Sequence, residues 1–274
     1  MTVIAMTREL GSFGMDVATG LAAALNLEVV HHEWVEHQVA EKLKTSDALV
    51  HRYLEGEASL FERWRVDGAK LSRFTAEMIL EQVARGNVVI RGWGAIGLLR
   101  PVSHVLRVRV CAPLPVRVER TMQRLGLADA AAARREIERS DAAHAGIAQR
   151  LLGSDWQSPD HYHVILNTAR LPIDTCVAHI TQLARGNHCA ETEDSRATLH
   201  DLLVTTRIRI ALDRALGSHH RVDVTLAKGE AVVTGMPGDQ ALVMQAVGLV
   251  RRVKGVERAS LGLPARRQPG SVGP

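Results

Sequence analysis

The chain has 274 residues, 46% apolar but only 3% aromatic, with 34 basic and 30 acidic side chains and a formal net charge of +4. At roughly 100 to 200 residues per domain, that length suggests one large or two unequal globular domains with a real core, and it excludes a disordered or fibrous chain. No apolar run approaches the ~18 residues of a membrane span, and Arg8 and Glu9 stand where a signal peptide would be apolar, so no membrane span and a cytoplasmic setting are expected.

Val3 to Met6 reads as a buried strand. A glycine-containing turn follows, Gly11-Ser12-Phe13-Gly14, and then a helix running through Met15 and Asp16 to about Leu25. Strand, turn and helix in that order leave free backbone N–H groups at the positive end of a helix dipole, which is where an anion sits. The next stretch, before Gly86, holds most of the aromatic residues (Trp34, Phe61, Trp64) together with His31, His32, Arg63, Arg65 and Arg73. The segment His32-Glu33-Trp34-Val35-Glu36 has Glu where a zinc-protease helix needs its second His, and Cys111, Cys176 and Cys189 lack paired spacing. No metal site or disulfide is therefore expected. Further strands are expected at Val88 to Arg91, Val105 to Cys111 and Tyr162 to Leu166, with amphipathic stretches between them, the alternation of a parallel α/β sheet. On the helix after Cys111, Arg117, Arg120 and Arg124 recur at i, i+3 and i+7 and share one face.

A polar, acidic run from Ala190 to Thr198 separates this alternation from a different order: a helix at about 199–216, strands near 222–226 and 231–234, a helix at 239–253 and a strand at 256–261. The expected domains are 1–189 (α/β), a linker at 190–198, a small α+β module (αββαβ) at 199–263, and a disordered tail at 264–274 rich in Pro, Gly and Arg. The charge is mixed along the chain and aromatic residues are few, so no nucleic-acid partner is expected.

Four strings, taken together, resemble the cytidylate kinase-like family of P-loop kinases over about the first 185 residues: Thr7 to Gly14 (TRELGSFG), Val88 to Ala95 (VVIRGWGA), the Arg117/Arg120 pair, and Asp155 to Thr168 (DWQSPDHYHVILNT). The resemblance implies a parallel sheet flanked by helices, ATP and Mg²⁺ as cofactors, and phosphorylation of a nucleoside monophosphate, CMP or dCMP. It implies that Arg8, Arg117 and Arg120 grip the transferring phosphates and that Gly11, Ser12, Phe13, Gly14, Met15 and Asp16 cradle ATP. Arg91, Trp93, Arg73 and Asp141 are the expected substrate-binding positions. The chain departs from the pattern where Trp93 interrupts a Gly-Arg-Gly motif, where Ala142, Ala143 and His144 follow the lid Asp141, and where Phe13 replaces a loop glycine. The lysine of the standard phosphate loop is absent as well. These departures keep a second reading open, a catalytically impaired nucleotide-binding sensor. Residues 201–263 resemble a BON domain, carried by Val222 to Gly235 and the Gly255-Val256 step, and this implies a small-ligand or protein partner for that module. The oligomeric state and the role of the cysteines are left open.

Overall fold

A computed structural model describes residues 1–54, 67–92, 94–152, 155–236 and 238–262. The chain forms two compact units, Met1–Leu199 and His200–Pro274.

The first unit is built on a five-stranded parallel sheet of β1 (Val3–Arg8), β2 (Glu28–Val30), β3 (Val88–Arg91), β4 (Val105–Cys111) and β5 (Val164–Asn167), in the spatial order β2-β3-β1-β4-β5. β1 is central and its residues Val3 to Thr7 are all buried, which is why it reads as a continuous apolar run rather than an alternating one. The register sets Met6 beside Arg91 on one side and beside Val108 on the other. One sheet face carries Ile4, Met6, Val89, Leu106, Val108 and Val110 against α1 (Gly14–Leu25) and α8 (Ile173–Ala184). Between β2 and β3 come α2 (His32–Leu43), α3 (Asp47–Leu54) and α4 (Gly68–Arg85). α4 opens where Asp67 Oδ1 accepts from the amides of Ala69 and Lys70 at 3.1 and 3.2 Å. The short α5 (Ala95–Leu98) follows β3, and α6 (Leu114–Leu125) and α7 (Ala130–Leu152) follow β4.

β5 begins two residues later than the sequence suggests, because a 3₁₀ turn at Pro159–His161 takes the Tyr162 amide onto the Pro159 carbonyl. The segment read as a linker, 190–198, is largely helical: α9 spans Glu193–Leu216. Its start is a reciprocal cap in which the Ser195 amide donates to Thr192 Oγ1 (3.1 Å) and the Thr192 amide donates to Ser195 Oγ (2.9 Å). The acidic Glu193 and Asp194 that suggested a solvated linker sit in the first turn, where the helix dipole favours negative charge.

In the second unit the later part of α9 packs on a three-stranded sheet of β6 (Val222–Ala227), β7 (Glu230–Gly235) and β8 (Arg258–Leu261), with α10 (Gln240–Val250) crossing between β7 and β8. β6 and β7 are antiparallel, and β7 and β8 are parallel. Lys228 and Gly229, both at positive φ, make the two-residue turn of the β6–β7 hairpin, which only a left-handed pair can close without splaying the strands. Val222, Val224, Ala231, Val233 and Ala259 alternate inward to meet Val204, Ile208 and Leu212 of α9 and Val243, Val247 and Val250 of α10. The αββαβ order expected from the sequence is the order observed. The tail at 264–274 lies outside the described residues.

Candidate functional site

In a parallel sheet whose strand order reverses about a central strand, ligands bind outside the carboxyl ends of the strands. Here β1 is flanked by β3 and β4, and the carboxyl ends bring together Arg8, Arg91, Cys111 and Asn167 with the segments that follow them. The loop after β1 is tightly seated. Ser12 is fully buried, and both its amide (3.1 Å) and its hydroxyl (2.7 Å) donate to the Glu9 carbonyl. Gly11 has φ +79°, and a Cβ there would stand 2.6 Å from the Arg117 carbonyl oxygen. Gly14 opens α1 beneath the Arg8 side chain, and a Cβ there would stand 2.5 Å from Arg8 Cβ. The amides of Phe13, Gly14, Met15 and Asp16 have no acceptor among the described residues, as expected of a helix start left open. Met15 is half-buried, and Asp16 is exposed in the first turn of α1.

Phe13 occupies the left-handed region (φ 57°) that its predecessor in the resembled pattern, a glycine, would enter without strain. Its ring lies under the Arg120 guanidinium, 3.9 Å from carbon to centroid, and stays 38% exposed. Arg120 also donates to Thr168 Oγ1 (2.9 Å) and to the Thr168 carbonyl (3.0 Å), while the Thr168 hydroxyl donates to the Ser12 carbonyl (2.8 Å). Arg120 therefore stitches the loop to the end of β5. It is not held out toward solvent.

Strand alternation sorts the remaining charges by face. Glu9 and Arg109, on the face opposite α1, form a buried ion pair, Arg109 Nη2 to Glu9 Oε1 at 2.6 Å. Glu9 Oε2 accepts from the Ala112 amide (3.1 Å) and lies 3.4 Å from Arg117 Nη1. Arg117, with a side chain 5% exposed, reaches from α6 to Asp141 on α7 and donates to both of its carboxylate oxygens, the shortest contact being 2.6 Å. Arg109 donates to the Gln157 carbonyl (2.8 Å) and stacks on Trp156. Burial pushes the Asp141 carboxyl up to about 6 against the pull of Arg117, with Glu9 adding to the rise. Burial also raises the Cys111 thiol, with Glu9 adding. His144 donates from Nδ1 to the Ser140 carbonyl (2.8 Å), and its pKa is lowered, first by burial, so the ring is neutral at pH 7. It supplies no lid cation.

On the face turned to α1, Arg8 forms no ion pair or hydrogen bond through its side chain among the described residues. Its pKa is lowered to about 10, first by burial and then by the neighbouring charges of Arg91 and Arg124, so it remains a cation at neutral pH. Of the expected site residues, the structure brings together Arg8, Gly11, Ser12, Phe13, Gly14, Arg117, Arg120 and Asp141 around one loop. Arg91 adjoins them at the end of β3. Arg73 is half-buried on α4, within the helical insert. Trp93 lies outside the described residues, as do Phe61, Arg63, Trp64 and Arg65. Sequence reasoning missed the roles of Glu9, Arg109 and Trp156. Glu9 and Trp156 lie inside the resembled strings, but their partners are far away in the chain. Among the described residues, no group of three or more His, Cys, Asp or Glu side chains is placed to hold a metal ion.

The five-stranded parallel sheet with its helices, the strand order and the glycine turn at the carboxyl end of β1 match a P-loop kinase-like fold. The chain belongs to the cytidylate kinase-like family, which it matches over residues 3–170. A solved but uncharacterised protein from Eubacterium ventriosum shares the fold, with a TM-score of 0.55 and 17% identity over 68% of this chain and 100% of that one. A shikimate kinase from Bacteroides thetaiotaomicron aligns at a TM-score of 0.42 and 15% identity, covering 66% of this chain and 97% of that one. A curated relative, the uronate isomerase of Corynebacterium glutamicum, is 34% identical over 113 residues. That alignment takes in 40% of this chain and spans about a fifth (21%) of that relative's length.

Proposed function

We propose that this chain catalyses ATP-dependent phosphorylation of a nucleoside monophosphate, CMP or dCMP, in the cytoplasm. Transfer of a phosphoryl group asks the protein chiefly for in-line positioning and positive charge at the transferring oxygens. One observation carries the reading: Arg8, a half-buried cation without an ion-pair partner among the described residues, lies over Gly14, beside the open amides of Phe13 to Asp16. Arg8 is the guanidinium counterpart of the absent lysine, and the amides receive the triphosphate. Magnesium, when bound, neutralises charge on the phosphate oxygens. The Ser12 hydroxyl is spent on the Glu9 carbonyl, so the exposed Asp16 carboxylate is the loop oxygen available to that ion. Arg91, Asp141, Arg73 and Trp93 are assigned to the acceptor.

A specific observation favours a second reading. Arg117 and Arg120 are both committed to protein partners, Asp141 with Glu9 and Thr168 with Phe13, so neither offers a guanidinium to a nucleotide without exchanging contacts. A protein that binds ATP without turnover, and signals through the second unit, fits that commitment. The αββαβ unit is read as a BON-like module for a small ligand or protein. Its Arg251 donates to the Ala259 carbonyl at 3.1 Å and braces β8.

The deciding experiment measures ADP release by the full chain with Mg²⁺-ATP and a panel of nucleoside monophosphates, beside calorimetry with the same nucleotides. Turnover stimulated by CMP and abolished by Arg8→Ala supports the enzyme. ATP binding without turnover supports the sensor, and absence of nucleotide binding refutes both.

A further inference from the structure

The side of α10 turned to solvent carries no charge. Gln240–Val250 holds two glutamines and no residue that ionises. Val243, Ala246, Val247 and Val250 are buried in the core of the second unit. Ala241, Met244, Gln245 and Gly248 lie on the other side and are exposed, Met244 to 62%. A surface helix ordinarily turns charged side chains to water, and one that is apolar around its whole circumference is a covered helix. α7 of the first unit keeps to that rule, with the exposed pairs Arg134–Glu138 and Arg139–Glu136. Met236 just before α10 (44% exposed) and Leu261 on the edge strand β8 (56%) add apolar surface.

This face is self-complementary. Ala241, Met244 and Gly248 recur at i, i+3 and i+7 and so run along one line of the helix. Met244 projects from it, and one turn later Gly248 leaves a gap, since a Cβ built there meets nothing within 4 Å. When a second copy of the helix lies antiparallel about a two-fold axis level with Ala246, each Met244 falls over the other copy's Gly248. Such a contact is isologous and closes at two copies. Unlike ends then meet as well. Asp239 precedes the first turn and Arg252 follows the last, neither has an ion pair among the described residues, and the two helix dipoles run opposed. Glycine is a poor helix former, and nothing in its own chain uses the space at 248; the close approach of a second helix does.

We propose that the chain forms a two-fold homodimer through this face of α10, with Met244 of each copy seated on Gly248 of the other. The dimer is independent of phosphoryl transfer and needs no nucleotide. The eleven residues of α10 give a contact about 16 Å long and about 10 Å wide. That is well short of the roughly 800 Å² per partner of a standard interface, so the dimer is weak and reversible, with a dissociation constant on the order of 10–100 µM.

The test is sedimentation velocity on the full chain from about 5 to about 500 µM, a range that brackets the expected dissociation constant. Far-UV circular dichroism melts check that each variant is folded. The wild type is expected to pass from monomer to dimer across that range. Met244→Lys, at a position 62% exposed, and Gly248→Glu, which raises helix propensity, are each expected to weaken association by more than about tenfold, since each removes both Met–Gly contacts of the symmetric pair. Mixed in equal amounts, the two variants are expected to regain the dimer. The introduced lysine of one copy then faces the introduced glutamate of the other, and the remaining Met244 faces the remaining Gly248. Arg134→Gln, at an exposed ion-pair position on α7, is expected to associate as the wild type does. A chain monomeric over the whole range gives the face to another occupant, the first unit or a different protein, and overturns the proposal. So does a dimer that both variants retain, or a mixture that associates no better than its components.

Discussion

Glu9→Gln is the substitution from which most can be learned about the first unit. The carboxylate is 9% exposed and faces Arg109 at 2.6 Å and Arg117 at 3.4 Å, while accepting from the Ala112 amide. Glutamine keeps the shape and one acceptor but removes the charge. Arg117 retains Asp141, whereas Arg109 is left with only the neutral Gln157 carbonyl and the Trp156 ring, so the uncompensated charge is Arg109's. Breaking a buried pair on one side costs about 3–5 kcal/mol, and the acceptor that glutamine keeps places this case near about 3 kcal/mol. For a unit of this size, that corresponds to a fall in melting temperature of roughly 6–12 °C. All four tryptophans (Trp34, Trp64, Trp93 and Trp156) precede His200, so tryptophan fluorescence in a urea or thermal melt reports on this unit without interference from the second. Adding Arg109→Met to Glu9→Gln removes the stranded charge and is expected to restore stability to within about 1 kcal/mol of the wild type. A Glu9→Gln protein that melts within about 0.5 kcal/mol of the parent, or a double variant no more stable than the single, would show that Glu9 is not the hub described here.

Three other outcomes follow from the same geometry. Gly11→Ala combines positive φ with a Cβ 2.6 Å from the Arg117 carbonyl and is expected to destabilise the first unit by at least about 2 kcal/mol in the same fluorescence melt; a loss under about 0.5 kcal/mol would mean the loop does not seat on α6. Phe13→Gly relieves left-handed strain of about 1 kcal/mol but forfeits the Arg120 stack and gains unfolded-state entropy, so its melt is expected within about 1 kcal/mol of the wild type, while Phe13→Ala, which keeps the strain and loses the stack, should be the less stable of the two. Asp141, its carboxyl raised to about 6 in the native state, binds more protons folded than unfolded between pH 4 and pH 6. Its contribution to stability is therefore present below the unfolded pKa and lost as pH rises through the native one. The stability of the wild type relative to Asp141→Asn is expected to decline from pH 4 to pH 7, and a flat or rising difference would contradict the dominance of burial over the Arg117 pairing.

Much of the architecture was legible because burial leaves a period in the sequence. The run Val3 to Met6 is apolar on both faces of the sheet, and the Val222/Val224 and Ala231/Val233 alternations mark a hairpin with one wet side. β2 escapes such reading because it has three residues and only Val30 is buried. The start of α9 was hidden for the opposite reason: capping and first-turn acidity use the same residue types as a solvated linker, and only the reciprocal Thr192–Ser195 bonds tell the two apart. In the site, the loop and its glycines were visible as a local string. The spacing of Arg117 and Arg120 indicated a shared helix face, but their partners are set by tertiary contacts with Glu9 and Thr168, 108 and 48 positions away, and no periodicity encodes those. Arg91 was readable as a strand-end cation, but its near-complete burial was not.

The ionic cluster beneath the loop also bears on how this chain can change over time. Glu9, Arg109, Arg117 and Asp141 come from the loop after β1, from β4, from α6 and from α7, and each makes the others tolerable in a dry setting. Losing any one of them strands a neighbour, whereas exchanging a matched pair does not. Mutational paths through these four positions are accordingly epistatic: their ancestry is expected to record joint replacements or none, while the exposed ion pairs of α7 drift one residue at a time.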